Sequence, residues 1–148
     1  MFKQDPLGRL IGAARRRLKQ AVGRRVSRYG LSSQQFWVLI HLDDTDEPAL
    51  SRVCAVLRID PPTASRIVAA LTRRGLVRAV PDPADRRRAR LKLTADGRAL
   101  ARRLQPLATE VRAAVERDLT RHESVELRRL LNKVITGLDR YDLEGVSP

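Results

Sequence analysis

Apolar residues recur at helical spacing through most of the chain, and between Gly75 and Thr94 that spacing gives way to short alternating runs. There Leu76-Val77-Arg78-Ala79-Val80 and Arg90-Leu91-Lys92-Leu93 read as two strands, joined by the turn Pro81-Asp82-Pro83-Ala84-Asp85-Arg86-Arg87-Arg88. One hairpin in a helical chain sets the class: mainly α with a small β-hairpin (α+β). The composition agrees, because five aromatic residues in 148 leave a core of Leu, Val, Ile and Ala, which favours helices over a sandwich or barrel.

The flanking helices follow from their stripes and their ends. Leu7, Leu10, Ile11, Ala14, Leu18, Ala21, Val22, Val26 and Tyr29 form the first stripe, stopped by Gly30. Ser32 and Gln35 have capping-box spacing, so a second helix starts at Ser33; Phe36 to Leu42 is apolar nearly all round and should lie centrally. Asp43, Asp44, Asp46, Glu47 and Pro48 read as a solvated acidic loop, since cation-ligand spacing is missing. Leu50, Val53, Cys54 and Leu57 mark a short third helix. Asp60 suits a cap and Pro61 the first helical position of a fourth, which runs to Arg74 and stops at Gly75. Ala64, Ile67, Val68 and Leu71 share one face of it, leaving Pro62, Thr63, Ser65, Arg66, Ala69 and Arg73 on the other. Thr94 caps a long fifth helix reaching Leu119, with a kink expected at Pro106, and Thr120 with Glu123 opens a last helix carrying Leu127 to Leu138.

The formal charge of +13 is unevenly spread: +4 over residues 1–47, +8 over 48–98 and +1 over 99–148. A localised basic region points to a polyanion partner, although 26 of the 30 basic residues are Arg, as an Arg-rich proteome would also produce. No apolar run is longer than Phe36 to Ile40, which is too short to span a bilayer, and no leader-like segment follows the N-terminus, so a cytoplasmic protein is expected. The single Cys54 closes no internal disulfide and is expected as a buried packing thiol; His41 and His122 are too few and too separated for a metal site. Neither a phosphate-binding Gly loop nor G-x-S-x-G nor H-E-x-x-H is present, so no enzyme and no cofactor are expected.

Two short helices joined by a tight turn and followed by a basic hairpin make a winged helix-turn-helix. The fourth helix fits a major groove of double-stranded DNA, with Thr63, Ser65 and Arg66 reaching base edges, and the hairpin tip suits the adjacent minor groove. Asp85, which DNA would repel, is expected to pair with a nearby Arg and fix the wing. A non-specific architectural, nucleoid-type binder remains the alternative on charge alone.

The string L-T-R-R-G-L-V-R-A-V-P-D-P-A-D-R-R-R-A-R-L-K-L-T-A-D-G resembles the winged-helix signature of MarR family transcriptional regulators at Leu71, Gly75, Leu76, Val77, Asp85, Arg87, Leu93, Thr94 and Gly97. Gly30 to His41, with Pro6-Leu7-Gly8, is similar to the SlyA branch. The resemblance implies a homodimeric repressor, with residues 1–31 and 99–148 forming an interlocked helical dimerisation region and 32–98 the DNA-binding region, two copies of which engage one pseudo-palindromic operator. It implies Arg87 as the minor-groove residue, Arg86 and Arg88 as phosphate contacts, and Pro62, Thr63, Ser65, Arg66, Arg73 and Asp85 as the rest of the DNA-binding set. It also implies a small aromatic or carboxylate effector, for which Arg15, Trp37, Ile40 and His41 are the candidate residues.

Overall fold

The computed structural model describes residues 6–145, so the outer ends of the two expected dimerisation segments, residues 1–5 and 146–148, lie outside the described residues. The chain divides into two units, Met1–Glu110 and Val111–Pro148.

In the first unit α1 (Leu7–Val26) runs into a single 3₁₀ turn, Ser27–Tyr29, and Gly30 follows at φ 66°, a left-handed conformation that glycine adopts without a Cβ clash. The capping box is formed as its spacing requires. Ser32 Oγ accepts from the Gln35 amide at 3.1 Å, Gln35 Oε1 accepts from the Ser32 amide at 2.9 Å, and α2 (Ser33–Asp44) starts there. Phe36, Val38, Leu39 and Ile40 are thereby placed in the middle of the core, where α2 packs against α1, α3 (Leu50–Leu57), α4 (Pro61–Arg73) and the second strand. Val53 from α3 and Ala64, Ile67 and Leu71 from α4 complete that side, each apolar stripe meeting the face of α2 nearest to it.

β1 (Val77–Pro81) and β2 (Ala89–Leu93) pair antiparallel with Val77 opposite Leu93, Ala79 opposite Leu91 and Pro81 opposite Ala89. Val77, Leu91 and Leu93 are buried, so the base of the hairpin belongs to the core while its tip stands clear. α5 (Ala95–Glu116) begins where Thr94 Oγ1 accepts the Gly97 amide at 3.0 Å and donates to Gly75 O at 2.6 Å. The approach at this corner is close enough to dictate a residue: a Cβ on Gly97 would stand 1.9 Å from Leu76 O.

The second unit holds the end of α5 and α6 (Arg121–Glu144). Thr120 and Glu123 form the expected capping box, and an Arg128–Glu116 ion pair spans the turn before it. Most apolar side chains of α6 remain uncovered: Val125, Leu127, Leu130, Leu131, Leu138, Tyr141 and Leu143 are exposed, Leu138 by 60% and Tyr141 by 73%.

Several sequence expectations need correcting. Asp43 and Asp44 belong to the last turn of α2, where both carboxylates accept from Gln105 Nε2, at 3.1 and 3.0 Å, so they are partnered instead of simply solvated. Glu47 likewise pairs with Lys92. Cys54 is half-buried, because the fully enclosed position on α3 is taken by its neighbour Val53. α5 ends at Glu116, three residues short of Leu119, because Arg117 to Leu119 form the turn that leads to the Thr120 cap. Val68, expected on the inner face of α4 with Ala64, Ile67 and Leu71, is half-buried. Among the described residues no helix is long and apolar enough to cross a membrane.

Candidate nucleic-acid interface

The interface is built from the start of α4 and the tip of the hairpin. Asp60 is the N-cap of α4: its Oδ1 accepts the Thr63 amide at 2.9 Å, satisfying one of the amides that a helix start leaves unpaired. Its Oδ2 accepts from Thr63 Oγ1 at 2.6 Å, and Thr63 Oγ1 in turn accepts from the Arg66 guanidinium at 3.3 Å. These bonds to Thr63 hold the Asp60 carboxyl below its ordinary value, the hydroxyl first and the amide second. Pro62, Ser65, Arg66 and Arg73 are exposed and Thr63 is half-buried, while Ala64, Ile67 and Leu71 turn inward. A helix buried on one face and polar and basic on the other leaves its outer face open to a groove.

The turn into α4 is tight. Arg58 ends α3 in the left-handed region at φ 51°, and the Ile59 amide reaches back to Cys54 O at 3.1 Å. At the other end of α4 the Arg74 guanidinium donates to Gly30 O at 2.7 Å and to Tyr29 O at 2.8 Å. The helix is thus fixed at both termini.

The wing is shaped by carboxylates. Asp82 Oδ1 accepts the Ala84 amide at 2.8 Å and its Oδ2 receives Arg90 Nε at 2.9 Å, and these contacts, the Arg90 bond foremost, lower the Asp82 pKa. Asp85 Oδ1 accepts the Arg87 amide at 3.0 Å, and its other oxygen lies 3.7 Å from Arg88 Nε. The expected pairing of Asp85 with a nearby Arg is therefore present, and the partner is Arg88. Arg86, Arg87 and Arg88 are all exposed, and among the described residues Arg86 and Arg87 have no acidic partner. Two cationic heads stand outward on a turn whose backbone is tied from within.

The base of the wing is joined to the loop before α3: the Leu91 amide donates to Pro48 O at 2.9 Å and Ala49 forms an antiparallel bridge with Arg90. Sequence reasoning did not anticipate this stitch, nor the Arg74 clamp or the Asp82–Arg90 bond. Each joins residues that become neighbours only in the folded chain, and in a sequence this rich in Arg no single Arg stands out.

The candidate effector residues are placed differently. Arg15 is exposed on α1, Trp37 is half-buried and edge-on to Phe36 with ring centroids 4.7 Å apart, and Ile40 is fully enclosed in the core. His41 is half-buried with its Nε2 unpartnered; burial first, then the nearby Arg52 charge, lower its pKa, against an opposing pull from Asp44. A small polar cavity in the same unit is lined by other residues, among them Thr45, Glu47, Lys92 and Arg98.

A capped helix with a polar outer face, a tight turn before it and a basic hairpin beside it defines a winged helix-turn-helix. Residues 29–88 match the model of the MarR family. The transcriptional repressor NicR of Pseudomonas putida is 33% identical over 105 residues, covering 71% of this chain and 66% of NicR's own length. Among solved structures, Bordetella bronchiseptica BpsR, described with the mechanism by which 6-hydroxynicotinic acid regulates its DNA binding, is 30% identical with a TM-score of 0.77 and covers 90% of this chain and 96% of its own. A cysteine-to-serine mutant of Escherichia coli MarR, complexed with operator DNA, is 27% identical with a TM-score of 0.74, covering 88% of this chain and 94% of its own. The chain belongs to the MarR family and is a winged-helix, DNA-binding transcriptional regulator.

Proposed function

We propose that this regulator is a cytoplasmic, sequence-specific repressor that acts as a homodimer on a pseudo-palindromic operator and is released by a small aromatic carboxylate. The observation that carries the DNA reading is the pairing of the capped α4 start with the outward Arg86 and Arg87 of the wing. In this reading Pro62, Thr63, Ser65, Arg66 and Arg73 lie along the major groove, with Thr63, Ser65 and Arg66 at base edges. Arg87 enters the minor groove, Arg86 and Arg88 hold phosphates, and Asp85 keeps the turn in shape.

The homodimer is supported by the uncovered apolar residues Leu7, Leu10 and Leu18 on α1 and Leu130, Leu131 and Leu138 on α6; in this reading residues 1–31 and 99–148 are the dimerisation region and 32–98 the DNA-binding region. Repression and an aromatic acid are supported by what NicR and BpsR are described as doing. Arg15, Trp37, Ile40 and His41 are the residues proposed to meet the effector, which requires α1 and α2 to part enough to uncover Ile40.

Selection of bound duplexes from a random DNA pool, followed by affinity measurement at two salt concentrations, tests the function. A recovered sequence with two-fold symmetry and half-sites about one helical turn apart is the expected result. Recovery of no preferred sequence, with binding governed by a steep salt slope alone, would establish the architectural binder instead.

A further inference from the structure

Thr63 is proposed above as a base reader, and a hydroxyl has one proton and two lone pairs, so by itself it accepts and donates equally well. Here its polarity is set from behind. Asp60 has a lowered pKa and is ionised at neutral pH, so both of its oxygens can only accept. Oδ1 takes the Thr63 amide and Oδ2, at 2.6 Å, takes the hydroxyl proton, a short bond to a charged acceptor. What remains on Thr63 Oγ1 is acceptor capacity, and one lone pair already receives an N–H of Arg66 at 3.3 Å.

We infer that Asp60, without touching DNA, is a positioning residue for sequence reading: by claiming the Thr63 hydroxyl proton it makes Thr63 an acceptor-only group and aims Arg66 beside it as the donor. In the major groove an acceptor-only hydroxyl matches the exocyclic amines of adenine (N6) and cytosine (N4), while an adjacent guanidinium matches guanine O6 and N7 or thymine O4. Thr63 and Arg66 together therefore select an amine-bearing base next to an acceptor-bearing one. Thymine or guanine opposite Thr63 would set two acceptors against each other.

The inference rests on α4 being the major-groove reader, and the test separates the two ideas. A duplex selected by the wild-type protein is varied one base pair at a time through a half-site, and the affinity of each duplex is measured for wild type, Asp60→Asn, Thr63→Val and Arg66→Ala. Asparagine caps helices as well as aspartate. With its carbonyl kept on the Thr63 amide, its NH₂ donates to Thr63 Oγ1 and turns the hydroxyl proton outward.

Wild type should favour adenine or cytosine at one position by roughly three- to tenfold, the scale of one hydrogen bond. Asp60→Asn should abolish or reverse that preference, and Thr63→Val should flatten it. Asp60→Ser, which keeps a cap for the amide but frees the hydroxyl proton, should relax the preference too and serves if Asp60→Asn folds poorly. An unchanged preference in both Asp60 variants, together with a changed one in Thr63→Val, overturns the inference and leaves α4 as the reader. Base preferences unmoved by Thr63→Val and by Arg66→Ala overturn the α4 reading itself, and the inference with it.

Discussion

The two units finish their folding to different degrees. In Met1–Glu110 the apolar faces of α2, α3, α4 and the hairpin meet one another and the long-range polar contacts are bonded, whereas α6 in Val111–Pro148 leaves most of its large apolar side chains uncovered. The first unit has the marks of a body that reads something. The second has those of a body still needing a surface, which under the proposed function a second copy of the chain would supply.

Replacing both Leu131 and Leu138 by Glu would test that contrast most severely. In a symmetric dimer the change removes four apolar side chains, worth roughly 1.5 kcal/mol each when buried, so self-association should weaken by roughly 6 kcal/mol. Sedimentation should then report monomers with a helical spectrum retained; a dimer of unchanged strength would show that α6 is not the contact. Gly97→Ala probes the opposite property, closure of the first unit. A methyl placed 1.9 Å from the Leu76 carbonyl requires the backbone to shift, and unfolding free energy should fall by about 3 kcal/mol or more in chemical denaturation. A smaller loss would mean that this corner is looser than its geometry.

Arg87→Ala should lower specific DNA affinity by about 1–3 kcal/mol and leave the melting temperature unchanged. An equal loss on random DNA would demote Arg87 to a phosphate contact. Thr120→Ala, which breaks the α6 capping box, should cost about 1 kcal/mol of stability.

The mildest effect is a pH dependence. Because the His41 pKa in the folded chain lies below its ordinary value of 6.5, the unfolded chain binds more protons just below that pH, and stability should decline as pH falls from 7 through 6.5 towards the folded value. The carboxylates of exposed Asp60 and of half-buried Asp82 and Glu126 are depressed, so their contribution is present above the usual carboxylate range and is lost only at lower pH. His41→Gln should flatten the thermal-unfolding profile between pH 7 and 5.5 and leave the acid limb intact.

The helix starts were legible because caps act over three residues: Ser32 with Gln35, Asp60 with Thr63 and Thr120 with Glu123 all bond as their spacing requires. Gly30 and Gly75 mark helix ends because both turns need positive φ. The hairpin shifted by a residue, since Leu76 is used by the Thr94 amide and pairing starts at Val77. The acidic run was misjudged for a related reason: Gln105 and Lys92, its partners, lie more than forty residues away. The charged tip of the wing was plain in the sequence. The arrangement of carboxylates beneath it was only half so, Asp85 being local to its partner and Asp82 reaching across the strands to Arg90.

Arg74 ties two ends of the first unit into one joint. The final carbonyls of the α1 segment, on Tyr29 and Gly30, are capped by a side chain from the far end of α4 instead of by their own helix. Any swing of that end of α1 must either take the carboxyl end of α4 along or strip two carbonyls of their donor. The side chain of one residue thus supplies, across the unit, the donors that the end of the α1 segment lacks.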